Sequence, residues 1–494
     1  MTGNNAPAPE LLAPAGGMEQ LRAAIRYGAD AVYLAAENFG MRARAANFAL
    51  ADVPEAVRVA HASGVRAYVA ANVLMGADDV AALPAYFEAL EAAGADAVIV
   101  GDLGAASLAV RHAPHVALHV STQASVANAE AARVWHGLGA RRVVCAREMS
   151  LREIARMRAD MPPDMELEAF VHGAMCMAVS GRCLISSYLT GRSGNKGHCT
   201  QPCRWNYVLE EEKRPGEYFP VEEDGRGTFI MNAKDLNMLA HVRELAEAGV
   251  CSLKVEGRNK KAFYVATVVN AYRRVLDGEP AEEVAEELET VSHRPYSTGF
   301  YFGEAQQAPD YDGYEQACLH AADVLACEPA EALPGAGGDA AAAAGSGAVA
   351  VADVAAGADT AAGSGTASAA GIAAVADAPA TAGGAAAAPA AAAGAPRTEG
   401  RPAGFAVTVR CRNRFAEGDR LEVLVPGRRA FEVVARNLAW LPEPDEADPH
   451  PAPCPVPVAN RSCARYRFFV AAEAGPLEPG WFLRKREHRR SSRH

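Results

Sequence analysis

Tyr27-Gly-Ala-Asp-Ala-Val32, Ala93-Gly-Ala-Asp-Ala-Val98 and Leu138-Gly-Ala-Arg-Arg-Val143 are three versions of one phrase. Each sets a glycine where a helix can end in the left-handed conformation, then a short bend, then the residues that open a buried strand. Outward from these phrases, from Glu10 to about Gly278, short aliphatic runs alternate with longer amphipathic segments, which is the signature of βα units around a parallel sheet. The predicted strands are Leu11–Ala13, Ala31–Leu34, Arg66–Ala70, Ala97–Val100, Ala117–Val120, Arg142–Cys145, Leu167–Val171, Phe229–Met231 and Ser252–Val255. Nine is one too many for a closed barrel. Pairing Tyr207–Glu210 with Phe229–Met231 as a hairpin after the seventh strand leaves eight. The expected fold is therefore α/β, a (β/α)8 TIM-like barrel over residues 10–278 with a cysteine-rich insertion at 173–228. A doubly wound sheet is the alternative, but Pro14-Ala15-Gly16-Gly17 is a poor match to the phosphate loop it would carry.

A connecting helix and loop are expected over 279–320. Residues 321–327 and 403–487 carry short strand patterns broken by Gly, Pro and Asp, which suggests a small C-terminal β-barrel. Between its first two strands, residues 328–402 collapse to Ala, Gly, Ser and Thr; such a segment cannot bury enough to offset ordering entropy and is expected to be disordered. A basic tail, 488–494, ends the chain. The net charge of −12 argues against coating nucleic acid nonspecifically, while leaving room for a local basic site. Neither a signal-peptide pattern nor an apolar run of membrane-spanning length is present, so the expected location is cytoplasmic, with no membrane partner.

Four of the eleven cysteines, Cys176, Cys183, Cys199 and Cys203, fall in a C-x6-C-x15-C-x3-C pattern among Gly, Ser, Thr and Arg. Thiols in so polar a setting are not core packing. Four thiolates at one point need a cation between them, so zinc or an iron-sulfur cluster is expected, and the spacing leaves the metal open. A disulfide is disfavoured in the cytoplasm, where the other seven cysteines are expected to be free thiols.

Barrel chemistry gathers at the C-terminal ends of the strands. Polar residues stand there along the chain: Glu37 and Arg42, Asn72, Asp102, Ser121 to Gln123, Arg147 and Glu148, His172, then Glu256 and Arg258. Gln123 can hydrogen-bond a base edge, Arg258 can pair with a phosphate or carboxylate, and Glu256 or His172 can move a proton. Taken singly, each is as readily a loop-solvating group. Arg182, Arg192, Lys196, Arg204 and Lys254 add positive charge near the same mouth, and Arg147, Lys254, Arg258 and Arg204 are the candidates for holding substrate or cofactor.

Glu168-Ala-Phe-Val-His-Gly-Ala-Met-Cys176 and Ser180-Gly-Arg-Cys-Leu-Ile-Ser186 resemble the signature of the collagenase-like peptidase family U32. Leu11-Leu-Ala-Pro-Ala-Gly-Gly17, Cys199-Thr-Gln-Pro-Cys203, Lys234-Asp-Leu236, Lys254-Val-Glu-Gly-Arg258 and Tyr296-Ser-Thr-Gly-Phe300 are similar to further phrases of that family, over about residues 10–327. Arg412-Asn-Arg-Phe-Ala-Glu-Gly-Asp419 resembles its small C-terminal domain, with the Ala/Gly-rich segment as the departure. The resemblance is nearest the tRNA-hydroxylation branch. It implies a 4Fe-4S cluster on the four cysteines, prephenate or a related carboxylate as co-substrate, tRNA or another structured RNA as partner, an electron donor, and conversion of a wobble uridine to 5-hydroxyuridine. A peptidase acting on unfolded or collagen-like protein is the alternative, but neither a H-E-x-x-H nor a G-x-S-x-G motif supports it, and one activated thiol would leave three cysteines idle.

Overall fold

The computed structural model describes residues 8–41, 47–176, 178–179, 182–205, 208–210, 218–220, 234–303, 305, 314–330, 403–444, 448–449 and 451–487. Eight parallel strands form the N-terminal part: β1 (Glu10–Pro14), β2 (Ala31–Leu34), β3 (Arg66–Ala71), β4 (Ala97–Val100), β5 (Ala117–Val120), β6 (Ala140–Val144), β7 (Glu166–Ala174) and β8 (Ser252–Val255). The barrel closes because β8 pairs with both β1, Glu10 opposite Ser252, and β7, Ser252 opposite Glu168.

The repeated phrase does what its residues predict. Gly28, Gly94 and Gly139 sit at φ of 99°, 73° and 95°, ending a helix where any side chain would be strained. The Asp two residues on stitches the next strand to its neighbour: Asp30 Oδ2 accepts from the Leu11 N–H at 2.8 Å, and Asp96 Oδ2 from the Ala67 N–H at 2.7 Å. Helices such as Met18–Arg26, Val53–His61 and Ala262–Leu276 cover the outside of the barrel, where the largest apolar cluster lies. A smaller cluster of Leu12, Tyr33, Tyr68 and Ile99 fills the lumen.

Below this cluster the lumen is charged. Arg142 Nη1 lies 2.7 Å from Glu10 Oε1, Lys254 Nζ lies 2.7 Å from Glu168 Oε1, and Ser252 Oγ and Tyr68 OH each donate to Glu10 at 2.8 Å. Burial works against a charged Glu10, yet Arg142 and Arg66 hold its carboxyl below the ordinary range. These ions are affordable inside because each is paired and hydrogen-bonded.

In the insertion, Val208–Glu210 pairs with Tyr218–Pro220; the expected partner Phe229–Met231 lies outside the described residues. The expected small C-terminal β-barrel takes the form of an antiparallel half-barrel, whose eight strands run in the order Phe431–Val434, Arg420–Leu424, Phe482–Arg486, Cys318–Ala330, Gly404–Cys411, Arg465–Ala471, Arg436–Leu441, Cys454–Pro455. Ala330 and Gly404, which flank the Ala/Gly-rich segment, are direct cross-strand partners; residues 331–402 between them and the tail 488–494 lie outside the described residues. The half-barrel is fastened to the barrel by Tyr27 OH, which donates to Leu424 O at 2.8 Å, and by the buried Arg484, paired with Glu287 at 2.6 Å and Glu422 at 2.7 Å. Among the described residues no helix is long and apolar enough to cross a membrane.

Candidate active site at the barrel mouth

β7 and β8 meet at a close approach that only glycine permits. The Glu256 N–H donates to His172 O at 2.9 Å, and Gly173, at φ 100°, has room for no side chain: a Cβ there would stand 2.6 Å from Glu256 O. Gly16 does the same on the other side, where a Cβ would lie 2.0 Å from Arg258 O. Pro14-Ala-Gly-Gly is thus a point of backbone contact under Arg258.

Two cavities stack on the mouth and share Met41, Gln123, Arg147 and Glu256. The outer one, about 290 Å³, is lined by all four cysteines of the quartet, Cys176, Cys183, Cys199 and Cys203. The inner one, about 40 Å³, runs down to Asn72, Ser121, Arg258 and Lys254. Residues up to 135 positions apart, Gln123 and Arg258, therefore face one continuous space.

Gln123 sits in a single turn after β5, where Ser121 Oγ accepts the Gln123 N–H at 3.3 Å and the Asn72 amide at 3.1 Å. Arg147, after β6, is held on three sides: its Nη1 donates to Ala174 O at 3.1 Å, its Nη2 lies 3.3 Å from Glu256 Oε2, and its guanidinium stacks 3.9 Å from the Phe170 ring centre. Arg258 is 4% exposed and lines the inner cavity. Asp102 is mainly a helix cap, its carboxylate accepting from Ala105 N–H at 2.9 Å.

Two candidates are placed differently from the rest. Lys254 belongs to the lumen: it is paired with Glu168, lies 4.5 Å from the Tyr33 ring centre, and contributes only the floor of the inner cavity. His172 turns away from the mouth into a cage of Tyr264, Tyr272 and Tyr296, with ring centres 6.2, 5.6 and 5.4 Å away. The cause is a bulge: Lys254 opposes Phe170 but Val255 opposes His172, so the extra Val171 upsets the in-and-out alternation of β7. Burial, above all, pushes the His172 pKa down to about 3, and Lys260 adds to the effect, so its ring is neutral near pH 7. Arg204 ends the turn Pro202–Arg204; its side chain and all of Arg42 lie outside the described residues. Met41, Asp235, Lys260 and Tyr314 also line the outer cavity; strand-end counting missed them because Met41 and Lys260 lie in loops, Asp235 in a short strand, Asp235–Asn237, antiparallel to β7, and Tyr314 beyond the barrel.

The insertion is tied to the barrel by Leu74 N–H donating to Asn195 O at 2.9 Å and by the Lys196–Asp79 ion pair. Asn195 Oδ1 also accepts the Cys183 N–H at 3.1 Å. Two sulfurs receive backbone N–H groups, Cys183 from Ile185 at 3.4 Å and Cys199 from Gln201 at 3.3 Å, the kind of contact that tunes metal-bound sulfur. Among the described residues no three of these sulfurs fall within 4.8 Å of one another. By contrast, Cys145 and Cys251 are pushed up to about 12 and about 11, Cys145 by burial and then the Glu168 charge, Cys251 by burial, and are inert thiols behind the wall. Beyond the quartet the insertion exposes Tyr188 (89%) and Trp205 (47%), beside exposed Arg182 and Arg192.

Fold and mouth together define a (β/α)8-barrel protein whose active-site entrance is walled by thiols. Residues 16–310 match the profile of peptidase family U32, and the chain belongs to that family. It is 38% identical over 354 residues to the tRNA hydroxylation protein P of Escherichia coli, covering 62% of this chain and 77% of that one. It is 39% identical over 323 residues to the tRNA hydroxylation protein P1 of Bacillus subtilis, covering 62% and 76%. The 23S rRNA 5-hydroxycytidine C2501 synthase of Escherichia coli is 37% identical over 268 residues, 54% of this chain and 39% of that one.

Proposed function

We propose that this chain hydroxylates a nucleobase of tRNA, turning a wobble uridine into 5-hydroxyuridine, with a 4Fe-4S cluster held by Cys176, Cys183, Cys199 and Cys203. The observation that carries the reading is the shared cavity, in which all four thiols face Gln123, Arg147 and Glu256. The names of the tRNA- and rRNA-hydroxylating relatives support the substrate class. When bound, the cluster would supply one-electron redox chemistry at the outer cavity wall.

The chain's own residues take the remaining tasks. Gln123, on a rigid turn, offers both a donor and an acceptor to a base edge. Glu256 takes or returns the proton displaced from the base, and Arg147 beside it stabilises the carboxylate form. Arg258, at the inner cavity, is the partner for the carboxylate of a small co-substrate such as prephenate. Tyr188 and Trp205 offer ring faces on which unstacked bases can lie, and Arg182 and Arg192 offer charge for phosphates.

The test is the nucleoside profile of tRNA from a deletion strain. Loss of 5-hydroxyuridine, restored by the wild-type gene and not by Cys183→Ser, is the expected result. An unchanged profile, with metal-free protein that cleaves gelatin in a Cys176-dependent manner, would overturn it in favour of a peptidase.

A further inference from the structure

On the flank of the barrel, Glu289, His293 and Glu315 bring one imidazole nitrogen and two carboxylate oxygens within 4.8 Å of one another. Three backbone bonds set this geometry. His293 and Glu315 form a reciprocal pair, His293 N–H to Glu315 O at 3.0 Å and Glu315 N–H to His293 O at 2.7 Å, while Ala317 N–H donates to Glu289 O at 2.9 Å.

The imidazole is the informative member. It is 2% exposed and lies flat on Tyr296, ring centres 4.2 Å apart at 6°. Its Nδ1 is 2.7 Å from Arg294 O. A carbonyl only accepts, so Nδ1 carries the hydrogen and Nε2 is the nitrogen whose lone pair can bind a cation. That nitrogen is 3.2 Å from Glu289 Oε2 yet has no hydrogen-bond partner among the described residues, because the carboxylate is not in line with it. A buried lone pair facing two carboxylates is unfavourable by itself. A proton would serve one contact; a divalent cation would serve all three.

We propose that Glu289, His293 and Glu315 form a second metal site, separate from the thiols, for a divalent ion of the Mn²⁺ or Zn²⁺ kind. One imidazole and two carboxylates suit such ions, and ligand atoms held at ~2.1 Å stand at most about 4.2 Å apart, so only small side-chain movements are needed. The Nδ1 contact to a backbone carbonyl is the outer-sphere bond that commonly orients a histidine ligand. The site joins the end of helix Ala281–Leu288 to the strand Cys318–Ala330 that opens the half-barrel, and Tyr314, next to Glu315, lines the outer cavity. The ion therefore clips the two parts together and steadies one wall of the mouth.

Mn²⁺ is the discriminating probe, since it prefers oxygen and nitrogen to thiolate. Chelator-treated full-length protein, titrated with Mn²⁺ and followed by electron paramagnetic resonance, should bind about one ion per chain, with a raised thermal midpoint. Glu289→Gln and His293→Gln should each weaken binding at least tenfold and abolish the thermal shift, while Cys183→Ser should bind as wild type does. Should His293→Gln fail to fold, Glu289→Gln decides alone, because that side chain is 48% exposed. No saturable Mn²⁺ binding by the wild type, or undiminished binding by Glu289→Gln, would overturn the site.

Discussion

Arg147 and Glu256 face each other across the barrel mouth, 3.3 Å apart, on residues that follow β6 and β8. Their side chains are 9% and 14% exposed, so the pair is largely shielded from water while still opening on both cavities. Glu256→Gln keeps the shape and removes the proton acceptor. Hydroxylation by this variant is expected to fall about 10²-fold or more, with an unchanged thermal midpoint. Liquid-chromatographic nucleoside analysis beside a melting curve checks both halves, and full activity would remove Glu256 from the mechanism.

Protein purified without oxygen should be brown and carry about four irons per chain. Each of Cys176→Ala, Cys183→Ala, Cys199→Ala and Cys203→Ala should lower that content, whereas Cys145→Ala, behind the wall, should not. Stoichiometric zinc without iron would refute the cluster.

Lys254 and Glu168 are 6% and 0% exposed and paired at 2.7 Å inside the lumen. Removing Lys254 leaves Glu168 with only Arg142, 3.2 Å away, so Lys254→Ala should cost about 1–3 kcal/mol in urea unfolding, whereas a Lys254→Met, Glu168→Leu double change should cost less. Equal losses would mean that the ion pair is not the cause.

His172 predicts a pH effect. Its pKa falls from 6.5 in the unfolded chain to about 3 in the fold, so the unfolded state takes up a proton that the folded state refuses. The group's stabilising contribution is complete above pH 6.5 and is lost as pH drops toward 3, at about 1.4 kcal/mol per pH unit between. His172→Phe should flatten that slope by one proton and retain hydroxylation, since the ring lies outside both cavities. A slope identical to wild type would contradict the buried neutral ring.

Ala330 and Gly404 are already neighbours across an antiparallel pair. Replacing 331–402 with a short Gly/Ser turn should therefore preserve the melting transition and activity, because loop-closure entropy grows only slowly with length. A lost transition would give the segment a structural role.

The barrel was legible in the sequence because its signals are local: a left-handed glycine ends the helix before β2, β3, β4, β6 and β8, and a bend with Asp follows it before β2 and β4. The four clustered cysteines do come to one cavity wall, as their closeness in sequence suggests. Strand-end counting also brought Gln123, Arg147, Glu256 and Arg258 to the mouth. Tertiary structure alone decided the rest. Lys254 has the position of a site residue, but Glu168, 86 positions away, claims its charge. His172 stands inside a signature phrase, yet one unpaired residue in β7 turns it to the outside, and no periodicity announces a bulge. Glu289, His293 and Glu315 carry no spacing motif, since Glu315 reaches the other two only through a two-residue backbone bridge. Side-chain alternation is written in the chain itself, whereas the partner across a strand or a bridge is set by the packing of the whole fold.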